Sequence, residues 1–395
     1  MPCAATSSVT VLSRASKGSA GARLNGRDQA AGPEPAVFRI LHVITDRDRR
    51  GAQVYATDLS EGLTQLGHVS HVVALAPGRH GDLLPVDALG PGERSPTTLR
   101  HLRRRAADYD VVVAHGSSTL FACAIGLFGS RVPFVYRQIG DPLFWASSWS
   151  RRLRVAALVR RAAAVVTLSP GVETVFRTHY RLRADATCVI PNAVPGRAFT
   201  PAQPGERAPS RASLGLPTEH TLVVYIGALA PEKGVDLVIE AVARTSAHLA
   251  VVGSGPEAPR LRALADRVAP GRVHFTGPLD QPAQALRAAD LLVLASRGGE
   301  SMPAVLIEGG LCGLACISTP IGAIPEVVID GVSGLIVPAG QLEPLVDAVT
   351  TLVDDPERRA AFGEAARQHC QQMFTIEATA PAWHQLLDRV CHRPR

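Results

Sequence analysis

Twelve short apolar, β-branched segments, each of strand length, punctuate this chain and leave it little choice of architecture. Six lie in the first half: FRILHVIT (38 to 45), VSHVVALA (69 to 76), DVVVAHG (110 to 116), PFVYRQI (133 to 139), AAVVTLS (163 to 169) and ATCVIP (186 to 191). Six more follow: TLVVYIGAL (221 to 229), HLAVVGSG (248 to 255), VHFTGPL (273 to 279), DLLVLAS (290 to 296), ACISTP (315 to 320) and SGLIVP (333 to 338). Their hydrophobicity is nearly continuous rather than alternating, which suits strands covered on both faces. Helical patterns sit between several of them. In VYATDLSEGLTQLG (54 to 67), Leu59, Leu63 and Leu66 recur at three- and four-residue steps and Gly67 supplies a stop. Alternating strand and helix means βαβ units and parallel sheets.

The two sets are parted by PGRAFTPAQPGERAPSRASLGLP (195 to 217), rich in Pro, Gly and Ser and without periodicity, which marks a boundary. At 395 residues the chain is too long for one ordinary core. The expected class is therefore α/β, with two doubly wound, Rossmann-like domains facing a cleft. Ligands of such sheets bind beyond the carboxyl ends of the strands. Residues 1–36, rich in Ala, Ser, Gly and Arg, read as a disordered leader without the apolar core of a secretory signal.

Composition removes several function classes. With 46% hydrophobic and 19% charged residues the chain is globular rather than mainly disordered. A formal charge of +6 suits phosphate groups or anionic lipid, whereas 5% aromatics are too few for a base-stacking surface, so nucleic acid is not an expected partner. The seven cysteines form no CxxC pair, and their odd number argues against a closed disulfide framework. Cys312 and Cys316 could share a helical face, but no nearby histidine completes a metal set, and ordinary buried thiols are the plainer reading. A reduced, cytoplasmic setting follows as the default. No run of 18 apolar residues is long enough for a membrane-spanning helix.

Chemistry is expected in the loops. Gly51 precedes a helix whose first N–H groups could face an anion or a sugar hydroxyl, although turn geometry alone would explain a glycine there. Asp46 and Asp48 form a D-x-D arrangement that could hold a divalent ion. Arg47, Arg49 and Arg50 surround them, so a salt-bridged loop is the better account. His115 ends a buried strand, where a neutral imidazole would point into the cleft or else be a satisfied structural side chain. In YIGALAPEKGVD (225 to 236), Lys233 near a helix start could neutralise a phosphate. Lys17 and Lys233 are the only lysines among many arginines. VVGSGPE (251 to 257) is a second strand-to-helix glycine turn, too short to be a dinucleotide fingerprint. In GGESMPAVLIEGG (298 to 310), Glu300 falls in a loop and Glu308 on the second turn of a helix that begins at Met302 or Pro303, with the proline in its first turn.

This last segment, followed by the small-residue run through SGLIVP, resembles the E-x7-E region of the retaining, nucleotide-sugar-dependent glycosyltransferases of the GT-B fold, family 4. The Gly51-Ala-Gln loop, His115, SPGVETVF (169 to 176), IPNAV (190 to 194), GALAPEKG (227 to 234), GSGPE (253 to 257) and HFTG (274 to 277) occur in the family's order. The resemblance implies an acceptor-side domain at 37–200, a nucleotide-sugar domain at 201–370 and a final helix, 371–395, returning to the first domain. It implies a hexosyltransferase using UDP- or GDP-sugars, with a glycan, lipid or small-molecule acceptor. It implies that Glu308 meets the donor ribose, and that Lys233 holds the diphosphate. Glu300, Ser301, Met302 and Pro303 would approach the donor sugar, Gly227 would bind the donor, Gly51 would admit the donor or acceptor near the first domain, and His115 would lie beside the transferred group. No metal or other cofactor is implied, since Lys233 and helix N-termini supply the charge. Two departures stand out: Ala228 where the family carries arginine, and Arg50 where it often carries glycine.

Other readings stay open at this level: a glycoside hydrolase with Glu300 and Glu308 as its acid pair, a nucleotide-sugar epimerase of the same fold, or a binding protein with a decayed site. Two arginine-rich helices, TTLRHLRRRAADYD (97 to 110) and WSRRLRVAALVRRAAAVV (149 to 166), are either solvated faces or a peripheral contact on the inner face of a membrane.

Overall fold

The computed structural model describes residues 36–78, 83–140 and 148–392. The leader expected at 1–36 lies, apart from Ala36, outside the described residues.

Each apolar run becomes a strand. The first half holds β1 (Arg39–Ile44), β2 (Val69–Ala74), β3 (Asp87–Ala88), β4 (Val111–His115), β5 (Phe134–Arg137), β6 (Ala164–Thr167) and β7 (Thr187–Val189). They form a parallel sheet in the order β3-β2-β1-β4-β5-β6-β7. The second half holds β8 (Leu222–Ile226), β9 (His248–Val252), β10 (Val273–Gly277), β11 (Leu291–Leu294), β12 (Ala315–Ser318) and β13 (Gly334–Ile336), parallel in the order β10-β9-β8-β11-β12-β13. The central strands β4, β5, β6, β11 and β12 are buried at every position, which is why their sequences do not alternate. Each Leu or Val so covered contributes about 1.5–3 kcal/mol.

Helices α1 (Gly51–Gln65), α2 (Pro96–Ala106), α3 (Ser117–Gly126), α4 (Trp149–Val159) and α5 (Pro170–His179) belong to the first half. The second carries α6 (Arg207–Ser213), α7 (Val235–Ala243), α8 (Ala258–Val268), α9 (Pro282–Ala288), α10 (Ala304–Leu311), α11 (Ile324–Val327), α12 (Leu342–Asp354) and α13 (Pro356–Met373). The last helix, α14 (Ile376–Cys391), packs back on α1. There the buried Trp383 donates its indole N–H to the Tyr55 hydroxyl at 3.0 Å. The two chain crossings lie side by side, because Val194 N–H donates to the Phe374 carbonyl and Ile376 N–H to that of Val194.

Locally, the structure adds two short elements and moves one helix boundary. Within the 195–217 stretch a short helix, α6, forms. Its buried Arg211 donates to the carbonyls of Ala288, Thr218 and His220 and pairs with Asp290 at 2.6 Å, which fastens the segment to the second sheet. Pro303 is the N-cap of α10 with extended ψ, and helical structure begins at Ala304 rather than in a turn containing the proline. The two exposed residues of β3 lack any apolar run that could have announced them.

Candidate functional site

Strand order reverses between β1 and β4 in the first sheet and between β8 and β11 in the second. At such a switch point the loops on the two sides part and leave a crevice beyond the strand ends. The ends of β1, β4, β8 and β11 and the segments that follow them carry Gly51, His115, Gly227, Lys233 and Glu300, so residues far apart in sequence gather at two switch points.

The loops after β8 and β11 are locked together. Arg297 donates both terminal guanidinium nitrogens to the Asp236 carboxylate, at 2.8 and 3.0 Å, and Arg297 N–H donates to the Glu232 carbonyl. Gly234 closes the turn before α7 with φ of 65°, and a Cβ there would lie 2.1 Å from the Ala295 carbonyl oxygen. Only glycine permits that approach. The result is a short ion pair, Lys233 Nζ to Glu300 Oε1 at 2.6 Å, with the Ser296 hydroxyl donating to the same oxygen at 2.6 Å. The Glu300 side chain is 9% exposed and that of Lys233 20%. Lysine and glutamate, read separately from sequence, are therefore partners. Gly253, with φ of +132°, crosses so near Gly227 that a Cβ would sit 2.0 Å from the Gly227 carbonyl oxygen. Gly227 is thus placed by backbone packing. Ala228 is exposed and brings no charge to this edge.

Beyond Glu300, Gly322 approaches the carbonyls of Glu300 and Ser301 closely, and Ala323 N–H donates to the Ser301 carbonyl at 2.6 Å. The Ser301 hydroxyl is buried without a partner. Met302 turns inward instead: its carbonyl accepts from Asn192 Nδ2 at 3.0 Å and its sulfur from Asn192 N–H at 3.2 Å. It fastens the second half to the IPNAV segment.

Two cavities open along the cleft. One, of about 750 Å³, is lined by Asp46, Arg50, Gln53, His115, Gln138 and Gly299, among others. The other, of about 930 Å³, is lined by Arg50, Gly51, Asp58, Asn192, Arg287 and Glu308, among others. Glu308 and Asp58 face it from α10 and α1. Burial, with a smaller push from Asp58, raises the Glu308 carboxyl to about 7. Asp58 is raised to about 6, first by burial, then by Glu61, against the pull of Arg49. Glu300 and Glu308 thus face different neighbours, an ion-paired loop and an acid-lined cavity, and do not form the hydrolase-like pair.

His115 is buried at the end of β4, its Nε2 2.9 Å from His42 Nδ1, so that one ring donates and the other accepts. Burial, then His42 and Arg137, holds His115 well below the usual histidine range, and burial lowers His42 to about 3. Both imidazoles are neutral at ordinary pH. Behind them, the buried Arg137 guanidinium lies 3.5 Å from the Tyr55 ring centroid and donates to Asn192 Oδ1 at 2.8 Å. His42, Arg137, Asn192 and Asp58 had no assigned role from sequence. The one available signal was a charge inside the apolar run PFVYRQI.

The D-x-D acids sit in a salt-bridged loop: Asp46 pairs with Arg50 and accepts from Gln53 Nε2 at 3.1 Å. Among the described residues no three His, Cys, Asp or Glu side chains gather as metal ligands. Cys312 and Cys370 are buried thiols pushed up to about 12 by burial. No helix among the described residues is long and apolar enough to cross a membrane.

Comparison with known proteins agrees with this geometry. Residues 49–195 match the model described as Glycosyltransferase Family 4, and residues 206–369 the one described as Glycosyl transferases group 1. The chain is 30% identical to the alpha-maltose-1-phosphate synthase of Mycolicibacterium smegmatis, over 62% of this chain and 66% of that protein. It is 29% identical to the D-inositol 3-phosphate glycosyltransferase 2 of Catenulispora acidiphila, over 88% of this chain and 92% of that one. Among solved structures, Anabaena HepE in complex with UDP-glucose superposes with a TM-score of 0.77 at 24% identity, covering 89% of this chain and 99% of HepE.

Proposed function

Since the chain belongs to the family 4 glycosyltransferases of the GT-B fold, we propose that it moves a hexosyl group from a UDP- or GDP-sugar to a glycan, lipid or small-molecule acceptor, with retention of configuration. The observation that carries this reading is the Lys233–Glu300 pair at the second switch point, beside Gly299, which lines the same cavity as His115. A nucleoside in the larger cavity would donate its ribose hydroxyls to Glu308. Lys233, pre-set by Glu300, would meet the diphosphate, and neutral His115 would hydrogen-bond a sugar hydroxyl beside it. The bond from C1 to the diphosphate oxygen breaks as the bond from C1 to the acceptor oxygen forms on the same face. The acceptor proton passes to the departing diphosphate. No carboxylate need act as base, and stabilising charge on the leaving group is the protein's main task. The proposal gives that task to side chains and assigns no metal or other cofactor. HepE, solved with UDP-glucose, supports a nucleotide-sugar donor of this kind.

A screen of UDP- and GDP-sugars for thermal stabilisation, followed by anomeric assignment of the product, tests it. An epimerised donor without a glycosylated acceptor, inversion at C1, or no stabilisation by any of these donors would refute it.

For the acceptor side, α4 favours a membrane surface. Trp149 is 78% and Leu153 51% exposed there, among the exposed Arg151, Arg152 and Arg154. The α2 arginines, by contrast, cover a helix whose Leu102 and Ala106 point inward, an ordinary solvated face. Sedimentation with anionic vesicles should depend on Trp149 and Leu153. Equal binding to neutral vesicles would count against it.

A further inference from the structure

Among the described residues, Arg50 alone lines both cavities of the cleft. Glu308 faces one and His115 the other. A donor whose nucleoside occupies the first and whose sugar occupies the second must thread its two phosphates past the shared wall. Resting on the proposed reading of this site, we infer that Arg50 is a diphosphate-binding residue of this protein, and that Asp46 holds it in place until the donor arrives.

Four features fit this role. The Arg50 side chain is 57% exposed and therefore free to reach a ligand. It extends from the N-cap of α1, a helix whose start has no side-chain cap and whose first turn carries no acid. Its present partner is anionic: the Asp46 carboxylate also accepts from Gln53, which keeps Asp46 in position whether or not Arg50 is engaged. Finally, a guanidinium presents a planar fork of donors that matches two phosphate oxygens, a geometry the single ammonium of Lys233 does not offer. Lys233 already shares its charge with Glu300, so a second cation is chemically useful when a diphosphate enters and again when it leaves.

Calorimetric titration of the full chain with UDP, GDP, uridine and guanosine decides the matter. Arg50→Ala should weaken binding of whichever diphosphate the protein takes by about 10- to 100-fold, the size of a lost charge-assisted contact, and leave the matching nucleoside unaffected. Arg50→Lys should fall between. Asp46→Asn, which releases the guanidinium, should tighten the diphosphate or leave it unchanged. The inference is overturned if Arg50→Ala binds the diphosphate like the parent, if it loses the nucleoside equally, or if Asp46→Asn weakens the diphosphate as strongly as Arg50→Ala. Failure of the parent protein to bind any of the four ligands would instead overturn the donor-site reading itself. A melting curve for each variant separates binding from folding.

Discussion

Replacing Glu308 by glutamine is expected to make the protein more stable and a poorer binder at once. In the fold this carboxyl is raised from 4.5 to about 7, chiefly by burial and secondarily by Asp58. Below about pH 4.5 both the folded and the unfolded chain carry the proton, and the residue contributes nothing to the pH dependence. Between 4.5 and about 7 the unfolded chain releases it while the fold retains it, so stability falls as pH rises through that window. Above it the penalty is complete. At about 1.4 kcal/mol per tenfold, the penalty is at most about 3 kcal/mol, because Glu308 is only half-buried where it lines the cavity. Glu308→Gln removes it, and for a chain of this length the gain corresponds to a rise of at most about 6 °C in Tm. Thermal melts of the two proteins should diverge at about pH 8 and converge at about pH 4.5. Titration with the bound nucleotide at about pH 8 should meanwhile show affinity down by about tenfold or more, as ribose loses a charged acceptor. A constant Tm difference at both pH values, or no gain at the higher one, would refute the assignment of burial as the cause. Unchanged nucleotide affinity would remove Glu308 from the ribose.

Lys233→Met should reduce turnover by about a hundredfold or more, because it withdraws charge from the leaving group. It should also lower stability by leaving the Glu300 carboxylate unpaired, a loss that the double variant with Glu300→Gln recovers without recovering activity; recovery of both would point to a structural role. Trp383→Ala should cost about 3–5 kcal/mol in urea denaturation, and Trp383→Phe about 1 kcal/mol through loss of the indole N–H to the Tyr55 hydroxyl. A Trp383→Phe variant as stable as the parent would show that the indole N–H contributes little. Gly234→Ala, with φ of 65° and the Ala295 carbonyl 2.1 Å from its new methyl, should cost about 2–4 kcal/mol and weaken donor binding by displacing Lys233. A wild-type melt would contradict the packing described.

What could be read from the residues alone divides along a physical line. All the strands but β3 were legible because a strand buried on both faces needs apolar residues in unbroken succession, as in VVVAH and LLVL. The switch-point loops followed, since strand ends determine where loops open. Side-chain partnerships did not follow. His42 meets His115 across 73 residues, Lys233 meets Glu300 across 67, and Trp383 meets Tyr55 across 328. No periodicity encodes such separations. They exist only once βαβ units have stacked. The Pro303 boundary was missed for a smaller reason: proline tolerates both the cap and the first turn of a helix, with φ near −65° in either.

The paired crossings at Val194 and Ile376 have a consequence for the protein as a modular object. Because those two residues are hydrogen-bonded neighbours, the stretch between them enters and leaves through one doorway. The first half is then a discontinuous host, completed by α14, and the second half is its guest. Deleting the guest and joining the doorposts with a short turn would leave the host with every strand of its sheet and its closing Trp383. Trimming the chain from its C-terminal end, by contrast, would damage the half that is made first.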